Sequence, residues 1–471
     1  MLWARNHTQS HTVARSALGC ASQYYWEVRR MKIAIIGGGL AGLTAAAYLS
    51  DNFGTEGTVF ERSPQLGGRA FTYQKSGFTL NYGAHAVYGI DRHTLQHMEQ
   101  ELKLQFQSKQ VDKRKVVYAK HGHLTPAPLD FVNILKTNVL KPFEKIRFVA
   151  EIAAVVANIH QLKNYKTLGE YLDHSHASAD VKELWEHLVS SNFFIAPKDA
   201  RKVSGEVIAE YYHNLFLSHK PVNYILGSWA TITDQLIEKI NHNEHWDIAL
   251  KEGVESITQE NGKYLLNTKT RQGLVFDQVI FAMPSQQVIK LLEGSSWLPF
   301  FEPYRNNTST EVMVYDVGFS KVVSRPFHYI SDMDNKIFIS DVSATDHTVA
   351  PPTGQLLQGI AYLNDDCMDD EQRKEYLEGK TQKMEALFDQ YYPDWREFVE
   401  VKRVSKKAMV SSVKNIHENR LVPSQIAEVP FLFCGDGCEG KGELAERAFS
   451  SGRNVAGLLL KELADIKSVA Y

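Results

Sequence analysis

Lys32-Ile33-Ala34-Ile35-Ile36-Gly37-Gly38-Gly39-Leu40-Ala41-Gly42 is the stretch on which the fold turns. Its first five residues are an apolar run rich in β-branched side chains that ends in glycine, which reads as a buried parallel strand. The Ala-rich run from Leu43 to Leu49 favours helix. Between them stand the glycines of a GxGxxG turn, Gly37, Gly39 and Gly42. Gly37 permits the tight turn out of the strand, Gly39 lets backbone approach a pyrophosphate, and Gly42 lets the helix lie against the sheet. Leu40 and Ala41 open a helix whose free N–H groups and positive dipole end face the phosphates. A second strand, Thr58-Val59-Phe60-Glu61, ends in a carboxylate suited to the ribose hydroxyls of an adenosine. Strand, turn, helix and acid in this order predict a dinucleotide-binding βαβ unit from Met31 onward. A Gly-rich turn in an unrelated α/β protein is the alternative.

Arg62-Ser63-Pro64-Gln65-Leu66-Gly67-Gly68-Arg69 follows directly. Gly67 and Gly68 let a second backbone segment come close to a cofactor, and Arg69 adds positive charge near its pyrophosphate. The stretch resembles the extended fingerprint of the FAD-dependent amine oxidase and phytoene desaturase superfamily. The resemblance continues along the chain. Residues 77–85 look like the short strand and turn of form G-F-x-x-D-x-G, with Asn81 where an acid is common. His85 falls where the chain returns toward the flavin. It is a candidate to orient the ring or to donate a hydrogen bond to substrate, although a histidine satisfied inside a loop is the commoner case. Leu226-Gly227-Ser228-Trp229 is a partial match to a Gly-Gly turn before a helix. Val254 stands where a family valine meets the adenine. Residues 276–284 resemble a D-x-V-I-x-A-x-P strand and turn. Gly435-Asp436 and the helix from Ala445 resemble the closing signature, in which the carboxylate meets the ribityl or pyrophosphate part. Arg447 replaces a glycine of that signature. Cys434 reads as a buried small hydrophobe rather than a covalent flavin anchor.

The resemblance implies an α/β fold with a discontinuous Rossmann-like FAD-binding domain of the glutathione-reductase type and a mixed α+β substrate domain. The FAD-binding domain is expected over 31–110, 218–290 and 405–471, and the substrate domain over 111–217 and 291–404. The expected FAD contacts are Gly37, Gly39, Leu40, Ala41, Gly42, Glu61, Arg62, Gly67, Gly68, Arg69, Val254, Gly435 and Asp436. No metal site is expected. Within the substrate lobe, strands are expected near 115–119, 312–317 and 356–362, and a long helix over 371–391.

The 471 residues suit two or three domains of about 150 residues. With 44% hydrophobic and 23% charged residues and a formal net charge of -3, there is no basic field to attract nucleic acid. Four cysteines in so long a chain suggest a reducing compartment and no disulfide framework. A cytoplasmic location is therefore expected. Residues 1–30 are expected to be a disordered or non-native extension, with Met31 as the alternative start. An Arg-rich transit peptide, and hence an organelle, is the other reading. No apolar run reaches the roughly 20 residues a membrane span needs. The run 148–159 is where a peripheral membrane contact would be tested.

No aromatic residue stands among Gly437, Cys438, Glu439 and Gly440, which counts against amine oxidation, and no second GxGxxG suggests an NAD(P)H domain. The leading expectation is an FAD-dependent oxidoreductase removing hydride from a largely apolar small molecule, as in phytoene desaturation, with oxygen or a quinone as electron acceptor. The alternatives are a flavin amine oxidase, an FAD-binding protein without turnover, and a flavin-dependent isomerase.

Overall fold

The apolar strand Met31–Ile36 lies at the centre of a five-stranded parallel sheet in the computed structural model, which describes residues 30–83, 85–157, 162–365 and 367–469. The sheet order is Trp246–Leu250, Thr55–Glu61, Met31–Ile36, Gln278–Phe281 and Leu432–Phe433. Alternation sorts the central strand's side chains. Ile33 and Ile35 pack under the helix Leu40–Ser50, while Ala34 and Ile36 face a cluster built on Tyr264, Leu266 and Phe276. Those three residues belong to a meander of Val254–Glu260, Lys263–Thr268 and Leu274–Phe276.

Leu40–Ser50 is buried nearly all round, as an Ala-rich helix without a polar face must be. The closing helix Ala445–Val469 lies across it. At their contact a Cβ on Gly452 would come within 2.4 Å of the Ala41 carbonyl oxygen, so only glycine allows this approach. The expected extension at 1–30 lies, apart from Arg30, outside the described residues.

A second, seven-stranded sheet runs Val399–Ser411, Thr310–Phe319, Gln355–Tyr362, Ile337–Asp341, Tyr329–Asp332, Val116–Lys120 and His123–Pro126. It is mixed, because Val116–Lys120 pairs in parallel with Tyr329–Asp332 and every other ladder is antiparallel. The helix Asp370–Tyr391, opened by an Asp369/Gln372 capping box, packs Met384, Leu387 and Phe388 on one face. Helices Pro142–Val156, Ala179–Phe193 and Gly205–Leu217 pack around Phe148, Trp185 and Tyr212 on the other side. One expected boundary differs. Val399–Ser411 runs through position 405 while pairing along its length with Thr310–Phe319. The chain therefore leaves this sheet after Ser411, because the ladder hydrogen bonds continue to that point.

Candidate active site

The ends of the parallel strands open on a cleft of about 820 Å³. Gly37, Gly39, Leu40, Ala41, Glu61, Arg62, Gly67, Gly68, Arg69, Val254, Gly435 and Asp436 all line it. Gly42 lies one step behind, where a Cβ would sit 2.0 Å from the Gly37 carbonyl oxygen. Its place is in the turn rather than on the cleft wall.

The turn is built by short contacts. Gly37 has φ +119, and a Cβ there would stand 2.4 Å from the Ala282 carbonyl oxygen. Gly39 is different: it faces open space in the cleft. Gly39 is also the N-cap of Leu40–Ser50 and offers no side-chain cap, and the first turn carries no acid. The helix therefore presents its orphan N–H groups and positive end to the cleft. Glu61 braces the loop from the next strand. Its Oε2 accepts from the Gly38 N–H at 2.8 Å, and its Oε1 from the Ser63 N–H at 2.8 Å. The Glu252 N–H donates to the Glu61 carbonyl at 2.9 Å, which holds the start of the meander, and so Val254, beside the acid.

The second backbone segment docks as the Gly-Gly spacing requires. The Gly67 N–H donates to the Gly38 carbonyl at 2.8 Å, and Gly39 and Gly67 form an isolated parallel bridge. Arg69 follows in the 3-10 turn Gly68–Ala70 and forms a two-pronged ion pair with Asp436. It also donates to the Val410 carbonyl at 3.1 Å. Asp436 further accepts from the Ser412 N–H at 2.8 Å and the Ser412 hydroxyl at 2.7 Å. Burial opposes the charged form of Asp436, yet the Arg69 guanidinium and the Ser412 donors outweigh it and hold the carboxyl well below the usual range. Ser412 carried no motif; a serine at the end of an alternating strand gives the sequence no signal.

The closing signature is anchored at Ser451, whose hydroxyl accepts from the Gly435 N–H at 2.9 Å. Arg447 fits without opening the helix packing. It is buried, pairs with Glu443 and donates to the Asp436 carbonyl at 3.3 Å. Burial pushes the Cys434 thiol up to about 12, in keeping with an inert apolar role. Asn81 lies outside the cleft. Its side-chain oxygen accepts from the Ser228 hydroxyl and its carbonyl from Arg403.

His85 lies in a neighbouring chamber of about 340 Å³ between the seven-stranded sheet and the helices. The chamber wall is mainly apolar and aromatic, with Tyr118, Phe148, Leu188, Tyr212, Tyr329 and Phe338 among its residues. His85 stacks edge-on against Tyr224 at 4.6 Å, and neither ring nitrogen has a well-placed hydrogen-bond partner. Burial pushes the imidazole down to about 3, the nearby Gly83 backbone opposing only in part. Cleft and chamber share Ala86, Tyr88 and Phe194, so the two spaces meet there. Tyr88 and Phe194 were not singled out by any motif.

The cleft fits FAD. Open space over Gly39, an uncapped helix end and an arginine beside it suit a pyrophosphate. Glu61 and Val254 sit together on the wall, suited to a ribose and an adenine.

A family model described as flavin containing amine oxidoreductase matches residues 40–460. Over 53 residues the chain is 45% identical to a 4,4'-diapophytoene desaturase (4,4'-diaponeurosporene-forming) of Staphylococcus haemolyticus, and 47% identical to one of Staphylococcus aureus. Each match spans 11% of this chain and 10% of the desaturase. Among solved structures, an oxidoreductase from Methanosarcina mazei superposes with a TM-score of 0.73 at 19% identity, covering 90% of this chain and 99% of that one. Cyclohexylamine oxidase from Brevibacterium oxydans gives 0.64 at 16% identity, covering 92% and 100%. At such identities the likeness is one of fold.

Proposed function

The chain belongs to the flavin-containing amine oxidoreductase family, and on that premise we propose that this FAD-dependent oxidoreductase removes hydride from a largely apolar substrate, as a carotenoid-type desaturase does. The observation that carries this reading is the chamber. It is walled by aromatic and aliphatic side chains and meets the cofactor cleft at Ala86, Tyr88 and Phe194. The local likeness to diapophytoene desaturases supports it.

When bound, FAD supplies a ring that accepts two electrons as hydride. The chain's residues hold and shield it. The first-turn N–H groups after Gly39 and the Arg69 charge serve the pyrophosphate, Glu61 the ribose, Val254 the adenine, and Gly435-Asp436 the ribityl part. The chamber orients the carbon from which hydride leaves, and the proton lost from the adjacent carbon as the double bond forms is released to water at the chamber mouth. A catalytic base works best with a pKa near the working pH, so a histidine held at about 3 is a poor one. His85 is a positioning group whose neutral N–H donates to substrate or cofactor. Electrons pass on to oxygen or a quinone.

The second reading is amine oxidation, favoured by the two aromatic side chains, Tyr88 and Phe194, at the junction. Incubation of the purified holoenzyme with a linear polyene and an acceptor separates the two. The desaturase reading expects one new conjugated double bond per acceptor reduced. Peroxide release with amines and no change in the polyene would replace it with the second.

A further inference from the structure

Helix Pro142–Val156 is turned the wrong way for a water-facing helix. Its Phe148 is fully buried and its only acid near the start, Glu144, is buried too, where it accepts from the Lys141 N–H at 2.8 Å. Phe143, Ile146, Ala150 and Ala153, spaced along one stripe, are exposed. The preceding helix Phe131–Lys136 adds exposed Phe131, Val132 and Leu135. The Lys145 ammonium donates to the Leu135 carbonyl at 2.7 Å and joins the two apolar faces. Phe143 is 78% exposed, Ile146 71% and Phe131 62%. Other exposed large hydrophobic residues, such as Phe53, Val322 and Leu458, fall singly along the described sequence.

We propose that this surface docks on an anionic lipid bilayer and opens the chamber toward its acyl layer. Charge favours lipid over a neutral partner. Lys136 and Lys141 flank the patch and are exposed. Lys113 and Lys115 lie on an adjoining turn, held close because the Asn133 amide donates to the Lys113 carbonyl at 3.4 Å. Two of the nearby acids are neutralised, Asp112 by Arg114 and Glu151 by Arg147, while Asp130 caps the backbone N–H of Asn133. Lys141 keeps only a 4.0 Å contact with Asp180. The patch also continues into the chamber, since Leu129, Phe131, Ile134, Val149 and Ile152 line it. No described helix is long and apolar enough to cross a membrane, so attachment is by insertion from one side. The docking face thus begins upstream of the 148–159 run expected from sequence, because Phe148 turns inward; residues 158 and 159 lie outside the described residues.

The readout is partitioning and not turnover, so this proposal stands apart from the substrate reading. The FAD-loaded full chain is co-sedimented with phosphatidylcholine vesicles with and without phosphatidylglycerol. The expected result is binding to the anionic vesicles that weakens with salt. Phe143→Asp combined with Ile146→Asp should lower it by about tenfold or more, with flavin absorbance and unfolding temperature unchanged. Lys136→Glu with Lys141→Glu should weaken it without touching the apolar stripe, and decides the case if the first variant fails to fold. Three results overturn the proposal. They are no sedimentation with anionic vesicles, undiminished binding by both variants, or a chain that ignores vesicles and instead dimerises through Phe143 and Ile146.

Discussion

Arg69 and Asp436 meet across most of the chain's length and fasten the loop after the second strand to the end of the last one. The Asp436 side chain is almost fully buried while Arg69 is 36% exposed. Removing the arginine strands a buried carboxylate, so Arg69→Ala should destabilise the fold by about 3 kcal/mol, the low end for a buried pair, and weaken FAD retention. Chemical unfolding with flavin absorbance measures both. The Asp436 carboxyl is held below its ordinary value, so its contribution is complete above the unfolded carboxyl value of about 3.9 and is lost as pH falls below it. Asp436→Asn should flatten that acid limb. Glu61→Ala frees the Gly38 and Ser63 N–H groups, and FAD affinity should drop by about tenfold or more in equilibrium dialysis. At this scale the sequence displays the cleft-lining Gly37, Gly39 and Glu61 plainly, because each stands in a motif of fixed spacing. It does not display Ser412 or Arg69's grip on Asp436, since those partners are set by long-range packing.

Helices and strands show which apolar patterns carry weight. Gly452 and Gly457 sit on the same closing helix. A Cβ at Gly452 meets the Ala41 carbonyl, whereas one at Gly457 meets nothing within 4 Å. Gly452→Ala should therefore cost about 1–3 kcal/mol and loosen FAD. Gly457→Ala should stabilise by about 0.5–1 kcal/mol through helix propensity alone. Thermal unfolding of the pair distinguishes a packing glycine from a dispensable one. Element positions were legible where periodicity was strong. The helix expected over 371–391 is Asp370–Tyr391, and the strand expected over 312–317 lies within Thr310–Phe319. The boundary near 405 was not legible, because Val399–Ser411 keeps one ladder across the point where the motif-bearing C-terminal part was expected to begin.

The whole molecule places an apolar chamber beside a charged cleft; His85 lines the chamber, and His187 is buried outside both spaces, against the Ser331 hydroxyl at 3.0 Å. Burial pushes His85 and His187 down to about 3. Unfolded histidine titrates near 6.5, so both contribute stability above that value. It is lost as pH falls from there toward 3. His85→Phe, which gives up no well-placed hydrogen bond, should make the acid limb shallower in pH-dependent unfolding. The cleft's lining could be read in large part from linear motifs. The chamber could not, because its wall gathers side chains from helices and strands between residues 85 and 358 that share no spacing rule. The most direct test is anaerobic titration of the purified FAD-loaded protein with polyenes and with amines, followed through the oxidised-flavin absorbance. The expected result is bleaching by a linear polyene and none by amines. Bleaching by amines alone, or by neither class, would contradict it.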